Sequence, residues 1–257
     1  MFHFVVAAYP TVSSGPTERP TVNRYILPIF NFLGEASFLT LNNIHITQIL
    51  SIPFEENTYI AQLKGRNDCL VVDPGFEAEK IIAYLEDKQL KPSAILITHA
   101  HSDHIAGIGE LKNRWPDCPV VIGAVEAPKL SDPHLNLSAM FGLSLRSPPA
   151  DVLLNDGDTY TAAGISMTVH KISGHSSGHV VYLIEDCDTI MVFVGDVIFA
   201  GSVGRTDFPD GDFRQLAEGI RTKLFTLPDA TILLPGHGPT TTVGEEKRSN
   251  PFVGQSS

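Results

Sequence analysis

Cysteine is scarce in this 257-residue chain: Cys69, Cys118 and Cys187 are widely spaced and form no CxxC pair. That arrangement suggests neither a thiolate zinc site nor a disulfide framework. Each cysteine reads as a small buried apolar residue in a reducing compartment. Positive charge is also short, with 18 Lys and Arg against 29 Asp and Glu, a net charge of −11. Such a balance argues against nucleic acid or another polyphosphate as partner, because binding one normally requires a basic surface. No run of 18 or more apolar residues occurs, so no membrane span is expected. The opening MFHFVVAAYP has no Lys or Arg ahead of its apolar run and no clear cleavage site, a poor match to a secretory signal. A cytoplasmic protein is the expectation.

Residues 1–40 carry turn-rich clusters such as TVSSGPTERP and no sustained periodicity. They read as a poorly ordered extension or a misassigned start, with YILPIFNF (25–32) available to dock as an extra arm. Residues 41–257 read as one domain. IHITQILSI, NTYIAQL and CLVVDPG follow one another at short intervals with turn residues between them, the pattern of a β-meander. AEKIIAYLEDK (78–88) has apolar residues at 81, 82, 84 and 85, which predicts an amphipathic helix. AILIT then runs straight into THAHSDH, and IAGIGELKNRW has helical spacing again. The second half repeats this in looser form: ISMTVHKI, VVYLIE, TIMVFVGD and ATILLPG read as strands and FRQLAEGIRTKLF as a helix. Strands with helices in both halves predict an α/β protein of two packed sheets with helices outside. The turn-rich segment 131–150 is a candidate active-site loop.

Histidine is what the sequence concentrates. THAHSDH places His99, His101, Asp103 and His104 within six positions. A strand ending at Thr98 leaves His99 and His101 on one side, since extended side chains repeat every two residues. Asp103 and His104 then turn into the following helix, so one segment can serve two neighbouring metals. A helix cap would explain Asp103 alone. Three further metal-capable side chains follow apolar strands: His175 in ISGHSSGH, Asp196 in MVFVGD and His237 in LLPGHG. Singly, each is more often a turn former or a satisfied hydrogen-bonder; together they predict a metal centre.

THAHSDH matches the HxHxDH signature of the metallo-β-lactamase superfamily, and the order HxHxDH, GH, GD, GH resembles its ligand series over residues 44 to about 250. The resemblance implies a four-layer αββα sandwich. It also implies two divalent metals: His99, His101 and His175 on one, Asp103, His104 and His237 on the other, and Asp196 bridging. Zinc is the default for such a set, and iron and manganese also suit it. Within the superfamily, GHSSGH, GDVIFAGSVGRTDFPDGD and LLPGHGPTTTVGEEKRSNPF are similar to the compact bacterial hydrolases of the glyoxalase II group. Many true β-lactamases carry a cysteine where this chain has Asp196, which sets that branch aside; the lack of an insertion large enough for an extra domain or arm, with which the acidic balance agrees, does the same for nucleases, and the retained histidines for flavin-linked members. With about 20 residues after His237, the helical C-terminal domain by which larger glyoxalase II enzymes bind glutathione is not expected, which leaves thiol recognition open.

The implied reaction is hydrolysis of a small-molecule thioester such as S-lactoylglutathione by a hydroxide bridging the two metals, with Asp103 as ligand and orienter. Asp73 in VVDPG resembles an aspartate that supports ligand histidines, against a turn former before Pro74. His179 is an orienter or a strand residue. Arg205, Lys247 and Arg248 are candidates for the thiol's carboxylate, whereas Asn57 and Tyr59 look like ordinary strand residues. GRTDF is also similar to persulfide dioxygenases, which hold a single iron; here His99, His175 and Asp196 would be its ligands. A non-catalytic metal-binding protein is the third reading. The oligomeric state is not legible.

Overall fold

The computed structural model describes residues 37–41, 43–185 and 189–255. The 25–32 arm and Cys187 lie outside them. The first sheet runs in order β1 (Ser37–Leu41), β2 (Ile44–Ser51), β3 (Glu56–Leu63), β4 (Asp68–Val72), β5 (Lys91–Ile97), β6 (Val120–Gly123) and β7 (Val152–Leu154). β1 pairs with β2 from Ser37 opposite Gln48 to Leu41 opposite Ile44, so the sheet begins before the expected boundary at residue 41. β1 to β4 form the antiparallel meander, and β4 to β7 pair in parallel. Parallel pairs need crossovers, here through α1 (Ala78–Asp87) and through α2 (Ser102–Ile105) with α3 (Ile108–Arg114).

The second sheet contains β8 (Thr159–Ala162), β9 (Ile165–Lys171), β10 (Val180–Ile184), β11 (Met191–Gly195), β14 (Ile232–Pro235) and β15 (Thr241–Thr242). A small hairpin of β12 (Ile198–Phe199) and β13 (Ser202–Val203) stands apart from it. β11 and β14 are parallel, joined across α4 (Phe213–Gly219), which continues into a wider turn at Ile220–Leu224; α5 (Val243–Ser249) follows β15. Among the described residues no helix is long and apolar enough to cross a membrane.

Period-two alternation sorts the side chains into layers. Leu70, Val72, Ala94 and Leu96 point inward to meet Met167, Val169, Tyr182 and Phe193 of the facing sheet. Cys69, Val71, Ile95 and Ile97 point outward against Ile81, Leu85, Ile108 and Leu111 of α1 and α3. Val181, Val192, Val194 and Leu233 do the same on the other side, under Leu216 and Val243 of α4 and α5. The protein is therefore an αββα sandwich, with helices over both outer sheet faces. Strands buried on both faces read as continuous apolar runs, which is why AILI and MVFV are uninterrupted. Cys69 and Cys118 are buried and unpaired.

Candidate metal centre

The site lies where strands end. β5 stops at Ile97 and delivers Thr98 and His99; β11 stops at Gly195 and delivers Asp196; β14 stops at Pro235 and delivers His237. His175 sits on the turn between β9 and β10. Carboxyl ends of parallel strands are the usual place for a site in open α/β sheets. Gly195 turns the chain with φ +48°, and a Cβ there would run into the Thr98 hydroxyl and the His179 ring. The strand can thus hand Asp196 to the site only through glycine.

Three imidazoles meet first. His101 Nδ1 lies 3.1 Å from His99 Nε2 and 2.9 Å from His175 Nε2, and the two Nε2 atoms are 3.2 Å apart. Asp196 Oδ2 stands 3.5 Å from His175 Nε2. A second group adjoins, with His237 Nε2 3.3 Å and His104 Nε2 3.9 Å from Asp103 Oδ2. Asp196 faces both groups: Oδ1 is 3.4 Å from His104 Nε2, and Oδ2 is 3.6 Å from His237 Nε2. His99, His101, His104 and His175 are buried, and His237 is partly exposed. Asp103 lies in the first turn of α2, which has no side-chain cap; the capping alternative for Asp103 has no support.

The outer nitrogens say which inner ones are free. His175 Nδ1 is 2.8 Å from the Arg205 carbonyl oxygen, and His237 Nδ1 is 3.2 Å from that of Glu55. A carbonyl only accepts, so each Nδ1 donates its proton and each Nε2 is the nitrogen turned inward, free to ligate when the ring is neutral. His104 Nδ1 faces the Asp73 carboxylate at 3.1 Å, with the same result. His99 Nδ1 faces the Thr98 hydroxyl at 3.1 Å, and that hydroxyl donates its own hydrogen to Asp73 at 2.6 Å. His99 and His175 thus turn their Nε2 atoms towards each other beside His101, while those of His104 and His237 face the Asp196 and Asp103 carboxylates. His104 Nε2 and Asp196 Oδ1 are buried without a hydrogen-bond partner among the described residues.

A tetrahedral ion with nitrogen ligands at about 2.1 Å spaces them about 3.4 Å apart, close to the separations in the first group. The donor set fits two divalent cations sharing Asp196. Burial, with neighbouring imidazoles adding to it, pushes His99 and His101 well below the usual histidine range, which keeps them neutral as ligands must be. Burial also opposes charge on His104 and His237, but Asp196 and Asp103 outweigh it and raise both. Protons there stand in for the cation that the carboxylates require.

Asp73, with a left-handed backbone (φ +49°), accepts from the Thr98 amide at 2.8 Å as well as from the Thr98 hydroxyl and His104. It joins the β4 end to the β5 end beneath the histidines. His179 Nε2 accepts from the Asp196 amide at 3.1 Å, and its ring stacks on His99 at 4.6 Å. The exposed Arg205 side chain pairs with Asp207 at 2.9 Å and lies over the Phe208 ring, which itself packs on His101 and His175. Lys247 pairs with Asp229 and Arg248 with Glu245, both on the surface around α5. In the 131–150 segment the Asn136 carbonyl accepts the Ser102 amide, and Phe141 packs on Phe54 of the β2–β3 turn.

Asn57 and Tyr59 are more than strand residues. Asn57 Nδ2 donates to the Pro235 and Gly238 carbonyls at 2.9 and 2.8 Å, and its amide donates to Gly236 at 2.7 Å. Tyr59 donates its hydroxyl to Pro235 at 2.8 Å. Together they tie the His237 loop to the first sheet. Polar residues at buried strand positions were the available signal, but only the pairing partner reveals what they hold.

An αββα sandwich with two His/Asp clusters sharing an aspartate at its strand ends defines a class of binuclear metalloproteins. The sequence profile of the metallo-β-lactamase superfamily matches residues 52–237, and the chain belongs to that superfamily. It is 40% identical over 202 residues to the probable metallo-hydrolase YqgX of Bacillus subtilis, covering 78% of this chain and 93% of that one. It is 35% identical over 222 residues to the hydroxyacylglutathione hydrolase GloC of Haemophilus influenzae, covering 84% and 100%. Among solved structures it is similar to the BLEG-1 B3 metallo-β-lactamase (37% identity, TM-score 0.76, 81% and 99% covered). It is also similar to TTHA1623 in a di-iron-bound form (35%, 0.70, 80% and 98%) and to ETHE1 of Myxococcus xanthus (28%, 0.67, 81% and 84%).

Proposed function

We propose that the protein is a metal-dependent hydrolase of small-molecule thioesters, S-lactoylglutathione being the representative substrate. The observation that carries this reading is the sharing of Asp196 between two clusters whose histidines have their outer nitrogens already engaged. His99, His101 and His175 would hold one cation, Asp103, His104 and His237 the other, with Asp196 between them. Such a pair supplies hydroxide at neutral pH, by lowering the pKa of water from 15.7 to about 7, and polarises an acyl carbonyl.

The chain's own residues do the rest. Asp103, partly buried and with its Oδ2 3.3 Å from His237 Nε2, would orient the attacking oxygen through a hydrogen bond. Asp73 and the Arg205 and Glu55 carbonyls hold three imidazoles in the ligating tautomer. A thiol leaves with a pKa of about 8.5, so the reaction needs no dedicated acid. Arg205, although paired with Asp207, is the best placed of the three candidate cations to meet an anionic thiol, because it lies over Phe208, which packs on His101 and His175, whereas Lys247 and Arg248 lie around α5. The similarity to GloC supports the thioester assignment. The acidic balance speaks against a nucleic-acid partner. The unpaired thiols of Cys69 and Cys118 favour a reducing, cytoplasmic setting. Zinc is the expected metal, and the di-iron form of a 35% identical neighbour keeps iron beside it.

A second reading, single-iron persulfide oxidation through His99, His175 and Asp196, has the likeness to ETHE1 behind it. The setting aside of β-lactamases for lack of a cysteine does not stand, since one 37% identical neighbour is a B3 metallo-β-lactamase. One assay separates these readings: metal content of the purified protein, with turnover of S-lactoylglutathione, glutathione persulfide under oxygen, and nitrocefin. Thioester hydrolysis with about two metals per chain supports the proposal. Oxygen uptake with one iron, or nitrocefin as the only substrate turned over, overturns it.

A further inference from the structure

A buried ion pair that takes no part in the reaction above lies between the two loops that carry the first histidine cluster. Glu126 follows β6 and is fully buried; Lys129, one turn later, is 6% exposed. Glu126 Oε2 accepts the amide of Ala100 at 3.0 Å, the residue between His99 and His101. Glu126 Oε1 accepts the Gly178 amide at 2.8 Å and the Ser176 hydroxyl at 2.6 Å, both just beyond His175. Lys129 Nζ lies 2.9 Å from Oε1 and also donates to the Ser176 hydroxyl and to Asp210. Asp210 in turn accepts the Ser177 amide at 3.0 Å. A Cβ on Gly178 would sit 2.7 Å from Val125 Cβ and 2.8 Å from the Glu126 amide nitrogen, so glycine permits this approach.

An ion pair this deeply buried is weak evidence for stability, since apolar residues of similar volume often serve as well or better. What an apolar pair lacks is an acceptor for two backbone N–H groups from separate segments. A carboxylate accepts on both oxygens, whereas a carboxamide has one acceptor and would turn N–H towards N–H.

We propose that Glu126, with Lys129, is a positioning device that sets the spacing between the His99–His101 segment and the His175 turn, and so the affinity of the first metal position. The inference rests on the metal-centre reading above. It also gives work to the remainder of GHSSGH: Ser176, Ser177 and Gly178 are the attachment points.

The test titrates metal-free protein with Co(II) against a competing chelator, recording the visible Co(II) spectrum and metal-free thermal stability. Glu126→Gln should weaken Co(II) binding at the first position by about 10–100-fold and alter the spectrum of that step. Glu126→Gln with Lys129→Met leaves no unpaired buried ammonium. It should regain stability over the single variant yet keep the weakened step. Wild-type affinity and spectrum in the double variant overturn the proposal. If the double variant does not fold, Ser176→Ala decides: it unpairs no charge, and several-fold weaker Co(II) binding supports the device while unchanged binding overturns it. Wild-type protein that binds no Co(II) would instead sink the metal-centre reading itself.

Discussion

The Nδ1 of His104 donates to the Asp73 carboxylate at 3.1 Å, and the same carboxylate receives both the amide and the hydroxyl of Thr98. One side chain at the end of β4 thereby sets the tautomer of His104 directly and that of His99 through Thr98. Asp73→Asn keeps the size and tolerates the left-handed backbone, but its amide group cannot accept on both sides. Metal affinity is expected to fall about 10–100-fold with the fold intact, measured by chelator competition alongside circular dichroism.

Asp103 separates the two chemical readings. Asp103→Ala should lower thioester hydrolysis by about 10²–10⁴-fold and reduce bound metal towards one per chain. A single-iron centre built on His99, His175 and Asp196 would barely respond. Full hydrolase activity in this variant would rule out the two-metal mechanism.

Asn57 is tested by Asn57→Ala, which deletes the side-chain bonds to the Pro235 and Gly238 carbonyls. Pro235 keeps the Tyr59 hydroxyl and Gly238 is open to solvent, so each lost bond costs about 0.5–1.5 kcal/mol. The denaturant midpoint should drop accordingly, and the second metal should be lost more readily than the first because the loop that loosens carries His237.

Asp210 gives a pH signature. Partial burial pushes its pKa up, but bonds from Lys129 and Ser177 outweigh this and hold the carboxyl well below the usual range. A depressed folded-state pKa means stability that is present above the ordinary carboxylate pKa and lost as pH falls through the folded value. Asp210→Asn should therefore cost about 1 kcal/mol at pH 7, since solvent screens a group this exposed. The gap to wild type should close steadily below about pH 4. A gap that persists unchanged at pH 2 would count against the assignment.

Much of the site was legible because it is written locally. His99, His101, Asp103 and His104 are neighbours in the chain, and each remaining candidate ligand follows an apolar run that had to be a strand. Strand identity came from the same source, since AILI and MVFV have no polar face to expose. The layers followed from alternation, as Leu70 with Val72 and Cys69 with Val71 show. The first strand was missed because Ser37–Leu41 forms through pairing with β2 and carries no clear pattern of its own.

Sequence alone thus determined much of the strand–helix order and brought out the candidate ligands, because hydrophobic periodicity and donor chemistry are properties of short segments. Only the tertiary structure decided which nitrogen of these three histidines turns inward, since that depends on acceptors far along the chain: Asp73 for His104, Arg205 for His175 and Glu55 for His237. It likewise decided that Asn57 holds the His237 loop and that Glu126 joins Ala100 to Gly178. Hydrogen bonds reaching 25 to 182 residues along the chain leave no periodic trace, because their partners are brought together by the packing of two sheets and not by spacing along one strand.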